Sequence, residues 1–265
     1  MNSDFSTAAA RARVTPERME ELLQSASVDE LKALAGSPGL NEDLAHALLR
    51  RRDLHSSVLE AIARNGAVMK HRDVILGVVA HPHTPRHVSL PAARFLYTFE
   101  LMKLALMPVL AGDLRISIEE TIIARLESVS AGERITLARS GSGRVACALL
   151  ADPELHVVQA ALNNPHMTEG LLIQALMREE APAHLVLTVC KHEKWSPRRE
   201  VRLALLRNAH TPLAQALSFA QSLSPMILED VLRDSKLETG IKAYLMAEAR
   251  RRISRRADEA PPAGR

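Results

Sequence analysis

Val78-Val79-Ala80-His81-Pro82-His83-Thr84-Pro85 closes one apolar run and opens the next, and the chain uses this turn again. It returns as Ala161-Leu162-Asn163-Asn164-Pro165-His166-Met167-Thr168 and as Leu205-Leu206-Arg207-Asn208-Ala209-His210-Thr211-Pro212. A weaker copy reads Leu34-Ala35-Gly36-Ser37-Pro38-Gly39-Leu40-Asn41. With Ser37, His81, Asn164 and Asn208 as anchors, the spacings are 44, 83 and 44 residues. The middle spacing is close to two units, with a degenerate copy near Glu127-Ser128-Val129-Ser130. The Asn or His at the anchor suits a helix end, where it can sit near the left-handed conformation and bond local backbone.

Outward from these turns the chain reads as helices. Apolar residues recur at three and four, as in Val201, Leu205 and Leu206 or Leu171, Leu172, Ala175 and Leu176. That is the one-face spacing of a helix, and strict alternation is hard to find. Thr15-Pro16, Thr84-Pro85, Ser196-Pro197, Thr211-Pro212 and Ser224-Pro225 read as starts, with a capping hydroxyl before a proline whose φ is already helical. Ser27-Val28-Asp29-Glu30, Ser117-Ile118-Glu119-Glu120 and Ser130-Ala131-Gly132-Glu133 read as capping boxes. Gly36 and Asn65-Gly66 read as stops. The sum is roughly fifteen helices of about 9–14 residues with short connections.

A helical period of 40–47 residues is the size of a HEAT or armadillo unit, whose hairpins stack because none covers its apolar face alone. The segment Ala151-Asp152-Pro153-Glu154-Leu155-His156-Val157-Val158-Gln159-Ala160-Ala161-Leu162-Asn163-Asn164-Pro165 resembles the leucine-rich-repeat variant: an Asp-Pro-Glu turn, a short helix, then an Asn-Pro turn. The wider organisation is similar to bacterial HEAT-like solenoids. The resemblance implies an all-α, right-handed α-solenoid of stacked helical hairpins, and a partner-binding role. The founding type's N-terminal cysteine cluster implies an iron–sulfur centre. No cysteine precedes Cys147 here, so that cofactor does not carry over and none is expected. The expected organisation is a disordered tail over 1–14, one solenoid domain over 15–256 and a disordered tail over 257–265.

Composition agrees with a folded helical chain. Among 265 residues, 47% are hydrophobic and 25% charged, which argues against global disorder. Aromatics are only 3%, which disfavours a β-sandwich or barrel. A net charge of +3 does not by itself imply a nucleic-acid partner. Cys147 and Cys190 both lie in apolar runs and read as buried free thiols. The stretch Met1 to Arg11 lacks the apolar core of a secretory signal. Phe95 to Ala111 is interrupted by Glu100, Lys103 and Pro108, short of a membrane span. A cytoplasmic protein is expected. Phe95, Tyr97, Phe99 and Leu101 to Leu110 read as a central buried helix, and Ile241 to Arg256 as an end cap with Ile241, Tyr244, Leu245 and Ile253 on one side.

His81, His83 and His87 form the densest histidine group and raise a transition-metal site. His166 and His210 occupy the position of His83 in other copies of the turn, so the repeat accounts for it, and no metal site is assigned. A phosphate loop or nucleophile elbow is not legible. Basic clusters stand at Arg50 to Arg52, Lys191 to Arg199 and Arg250 to Arg256. Trp195 is the one aromatic in basic surroundings.

The function expected is a non-enzymatic helical-repeat scaffold that binds a partner protein on a concave or ridge surface. Lys191, Lys194, Trp195, Arg198 and Arg199 are its best local patch, and no catalytic residue is assigned. The alternative is a nucleic-acid-binding HEAT-like protein, or a DNA base-repair enzyme, using the basic face around Trp195.

Overall fold

The computed structural model describes residues 26–258, and every described element is helical. The expected start at Thr15-Pro16 and most of both expected tails lie outside the described residues. The chain divides into two compact units, the first ending at Ser128 and the second beginning at Val129. The division falls in Glu127–Ser130, where the turn signature is degenerate. The first unit holds α1 (Val28–Gly36), α2 (Glu42–Leu49), α3 (Ser56–Arg64), α4 (Arg72–Ala80), α5 (Arg86–Ala93), α6 (Thr98–Ala105) and α7 (Gly112–Arg125), then a 3-10 turn over Leu126–Ser128. The second holds α8 (Ala131–Ser140), α9 (Gly143–Ala148), α10 (Leu155–Leu162), α11 (Glu169–Leu176), α12 (Ala183–Lys191), α13 (Arg199–Arg207), α14 (Leu213–Gln221), α15 (Pro225–Arg233) and α16 (Thr239–Asp258).

Most of these helices have only about two or three turns, too few to persist alone in water, so tertiary packing must hold them. Helices pack on the next one along the chain, as α4 does on α5, α6 on α7 and α15 on α16, and also on the second one along. In the first unit α1 packs on α3, α2 on α4 and α5 on α7. In the second, α8 packs on α10, α9 on α11, α10 on α12, α11 on α13, α13 on α15 and α14 on α16. The 44-residue spacing spans three helices, since position 37 ends α1 and position 81 ends α4, while 164 follows α10 and 208 ends α13. The core of the first unit runs through Leu31, Leu44, Leu59, Ile62 and Val78, all buried. The second buries Val145, Leu150, Val157, Leu172, Val186 and Leu205.

Helix C-termini leave carbonyls without intrahelical donors. A left-handed C-cap is the common remedy, yet no described residue has a positive φ. The left-handed anchor is thus corrected, while the stops fall where the sequence puts them: α1 ends at Gly36, and Asn65 is the C-cap of α3. Asn65 sits at φ −82°, His81 at −71° and Asn208 at −89°.

The carbonyls are instead met by side chains from the end of the helix two positions later. Asn65 Nδ2 donates to Ala35 O and Ser37 O at 3.0 and 2.9 Å. Asn164 Nδ2 donates to Ala138 O and Gly141 O at 2.7 and 3.0 Å. Asn208 Nδ2 reaches Leu176 O, and Ser235 Oγ reaches Leu206 O. The acceptor atom of each of these four side chains also takes the backbone N–H two residues on: Ala67, His166, His210 and Leu237 respectively. One small polar side chain thus closes its own turn and ties the helix to its stacking neighbour.

Helix starts follow the sequence in part. The Ser27 and Ser130 capping boxes are present. Ser117 lies inside α7, which begins at Gly112, so that box is absent. Thr84 and Thr211 do not cap; their hydroxyls donate back to Val78 O and Leu205 O, each at 2.6 Å, and Pro85 and Pro212 are the N-caps. Pro197 lies before the N-cap Arg198 of α13, while Pro225 is the first residue of α15. Both cysteines are buried and free, and burial pushes the Cys190 thiol up to about 11. Along α16, Leu245 and Ala249 are buried against α14 and α15, whereas Tyr244 and Ile253 are exposed.

Candidate functional site

The three histidines do not converge on a common point. His81 is buried, with Nε2 2.7 Å from Arg51 O and Nδ1 accepting the His83 N–H. That pair of bonds fixes a neutral ring with its proton on Nε2 and leaves no lone pair for a metal. Burial also lowers its pKa, with the neighbouring His83 adding to the effect against the Arg51 carbonyl. His83 Nδ1 faces Leu54 O at 3.1 Å, and His87 Nε2 lies 3.6 Å from Glu60. His81 is the α4 member of the side-chain-to-carbonyl ladder.

The patch at the α12–α13 turn is brought together only in part. Lys191, Lys194, Arg198 and Arg199 are exposed. Trp195 is 1% exposed, and its Nε1 donates to Leu162 O at 2.8 Å. The expectation that its indole meets a partner is corrected: the ring fills the stack and serves the last carbonyl of α10. Lys194 Nζ and Arg198 Cζ lie 4.4 and 5.0 Å from the ring centroid, and Arg198 is paired with Glu169 at 2.8 Å. A base-stacking aromatic is therefore not offered on this face. Lys191 belongs instead to a cavity of about 630 Å³ between α10 and α12, beside the exposed Leu155 and Leu187.

A larger concavity than this one lies in the first unit. It has a volume of about 790 Å³ among α3, α4 and α5. Ala63, Met69, Ile75, Val88, Pro91 and Ala92 give it an apolar lining. Glu60, Arg64, Lys70, Arg72 and His87 give it polar edges, and Phe95 lines it too.

Phe95 is 71% exposed and Tyr97 63% exposed, so the long buried helix expected over this stretch is corrected. Only Thr98–Ala105 is helical, and the aromatics precede it in the α5–α6 turn. That turn is clamped. Arg72 donates to Phe95 O at 3.1 Å, faces Glu100 at 3.4 Å and lays its guanidinium over the Tyr97 ring. Arg125 donates to Leu96 O at 2.7 Å and to Arg94 O at 3.0 Å. Three successive carbonyls are held by two arginines, so the exposed ring stands on a fixed backbone. A signal was legible in the sequence: Phe95, Tyr97 and Phe99 are two apart, a spacing that no single helix face accommodates. The clamp was not legible, because both arginines come from other helices.

Among the described residues, no helix is long and apolar enough to cross a membrane. No protein-family model, curated protein or solved structure gives a significant match to the chain.

Proposed function

We propose that the chain is a non-enzymatic helical-repeat scaffold that binds a partner protein, and that the groove of α3, α4 and α5 with Phe95 in its lining is the docking site. Each unit is read as a short right-handed α-solenoid, supported by the packing of helices on the second one along. The observation that carries the binding reading is Phe95, a large aromatic left in water on a backbone held at three carbonyls. Preorganisation of this kind lowers the ordering cost of association, and aromatic anchors dominate binding energies. The apolar lining suits aliphatic side chains of a partner segment. Arg64 and Lys70 at the polar edges suit acidic residues flanking them.

The test replaces Phe95 by a photo-crosslinking aromatic residue in cells, identifies the protein joined to it, and measures its affinity for the purified chain. Phe95→Ala is expected to weaken that affinity at least tenfold, while Tyr244→Ala, an exposed aromatic in the other unit, leaves it unchanged. Equal affinity of the Phe95→Ala chain would overturn the proposal.

A further inference from the structure

Between α2 and the start of α4 three metal-ligating side chains meet, with a fourth, His71, against one of them. Glu42 and His46 lie one turn apart on α2 and so share a face. His71 is the N-cap of α4 and Asp73 its second residue, and α4 packs on α2. One ligand atom from each of Glu42, His46 and Asp73 lies within 4.8 Å of the others. The Glu42 carboxylate has one oxygen 3.8 Å from His46 Nε2 and the other 2.9 Å from His71 Nδ1. Among the described residues, no lysine or arginine pairs with Glu42 or Asp73. Two carboxylates thus lie close together, and a dication between them would turn their mutual repulsion into attraction.

We propose that Glu42, His46 and Asp73 bind a divalent first-row transition cation, with His71 orienting Glu42 from outside the ligand set. The imidazole is what selects the metal class. Calcium and magnesium prefer all-oxygen cages, whereas one nitrogen and two carboxylates suit zinc or its neighbours, with water completing the shell. His71 holds the free oxygen of a ligating carboxylate, the place of an outer-shell partner. The bound ion ties α2 to the start of α4 and so stabilises the first unit by mass action. None of these residues lines the Phe95 groove, so the two proposals stand or fall separately.

The test titrates Zn2+ into the tag-free full chain by calorimetry and counts bound metal by elemental analysis after dialysis. One Zn2+ per chain is expected, with a rise in the thermal midpoint. Glu42→Gln, His46→Gln and Asp73→Asn should each weaken binding at least tenfold and abolish that rise. His71→Ala should weaken it by roughly tenfold or more, the usual range for an outer-shell partner. The metal-free variants should melt where the parent does, because none of these side chains is buried. His166→Ala with His210→Ala, which removes two exposed histidines elsewhere, should bind as the parent does. Co2+ should give the visible absorption of a low-symmetry nitrogen–oxygen site, lost in His46→Gln. Sub-stoichiometric metal, binding unchanged in Glu42→Gln or Asp73→Asn, or displacement of Zn2+ by equimolar Mg2+ would each overturn the proposal.

Discussion

The indole of Trp195 donates to the carbonyl of Leu162, 2.8 Å away and 33 positions earlier in the chain. It is the bulkiest member of a ladder whose other rungs are Asn65, His81, Asn164, Asn208 and Ser235. Trp195→Phe keeps most of the buried ring and removes only the donor. It should cost about 1–3 kcal/mol, the penalty for leaving a buried acceptor unmade. Trp195→Ala adds a cavity and should cost about 3–5 kcal/mol. Urea unfolding of the two variants separates the contributions, and a Phe variant as stable as the parent would remove the rung from the account.

Asn164 tests the ladder where it is most buried. Its amide is fully enclosed, gives two bonds to carbonyls and accepts the His166 N–H. Asn164→Asp exchanges the donor for an oxygen facing two other oxygens, at unchanged size. This variant should lose more stability than Asn164→Ala, which is expected to lose about 1–3 kcal/mol. The reverse order in denaturant melts would mean that packing, not hydrogen bonding, fixes this residue.

His81 gives the ladder a pH dependence. Burial holds its pKa below the ordinary 6.5, so the unfolded chain takes up the proton first as pH falls. Stability should therefore drop from about pH 6.5 downward until the folded imidazole also titrates. His192, lowered chiefly by burial and then by Lys194, acts in the same direction. The acidic groups held low, Glu30 and Glu133 by their capping serines, matter only below their ordinary 4.5. Asparagine does at positions 65, 164 and 208 what His81 does here. The His81→Asn chain should fold and should show a flatter stability profile between pH 7 and 5.5 than its parent. A profile that keeps its full slope in the variant would place the titration elsewhere.

Two glycines on neighbouring helices should respond oppositely to alanine. A Cβ on Gly143 would run into the backbone oxygen of His166, where α9 meets the turn before α11. Gly143→Ala should destabilise by about 1–3 kcal/mol, as overpacking does. Gly170, in the first turn of α11, has open space around it. Gly170→Ala should stabilise by roughly 0.4–1 kcal/mol through the unfolded state. Thermal melts of the pair give the sign of each directly.

The turn signature was legible because its residues serve their own backbone: Asn65, His81, Asn164 and Asn208 each accept an N–H two positions ahead. Local chemistry of that kind leaves a mark in the sequence. The groove was less legible. Phe95 is apolar and follows an apolar helix, and nothing beside it announces that Arg72 and Arg125 hold its segment in water. Trp195 misled for the complementary reason. Its type suggests chemistry at a surface, while its partner is a carbonyl 33 residues away.

The sequence by itself determined that the described chain is helical, where many helices stop, and that one turn design recurs. Apolar spacing and side-chain capping act over a few residues and are written there. Tertiary structure decided which helices pack on the second one along, which polar side chains are consumed there, and which aromatics stay exposed. Orphan carbonyls accept whatever donor the neighbouring layer brings within about 3 Å, and that proximity exists only once the layers have stacked.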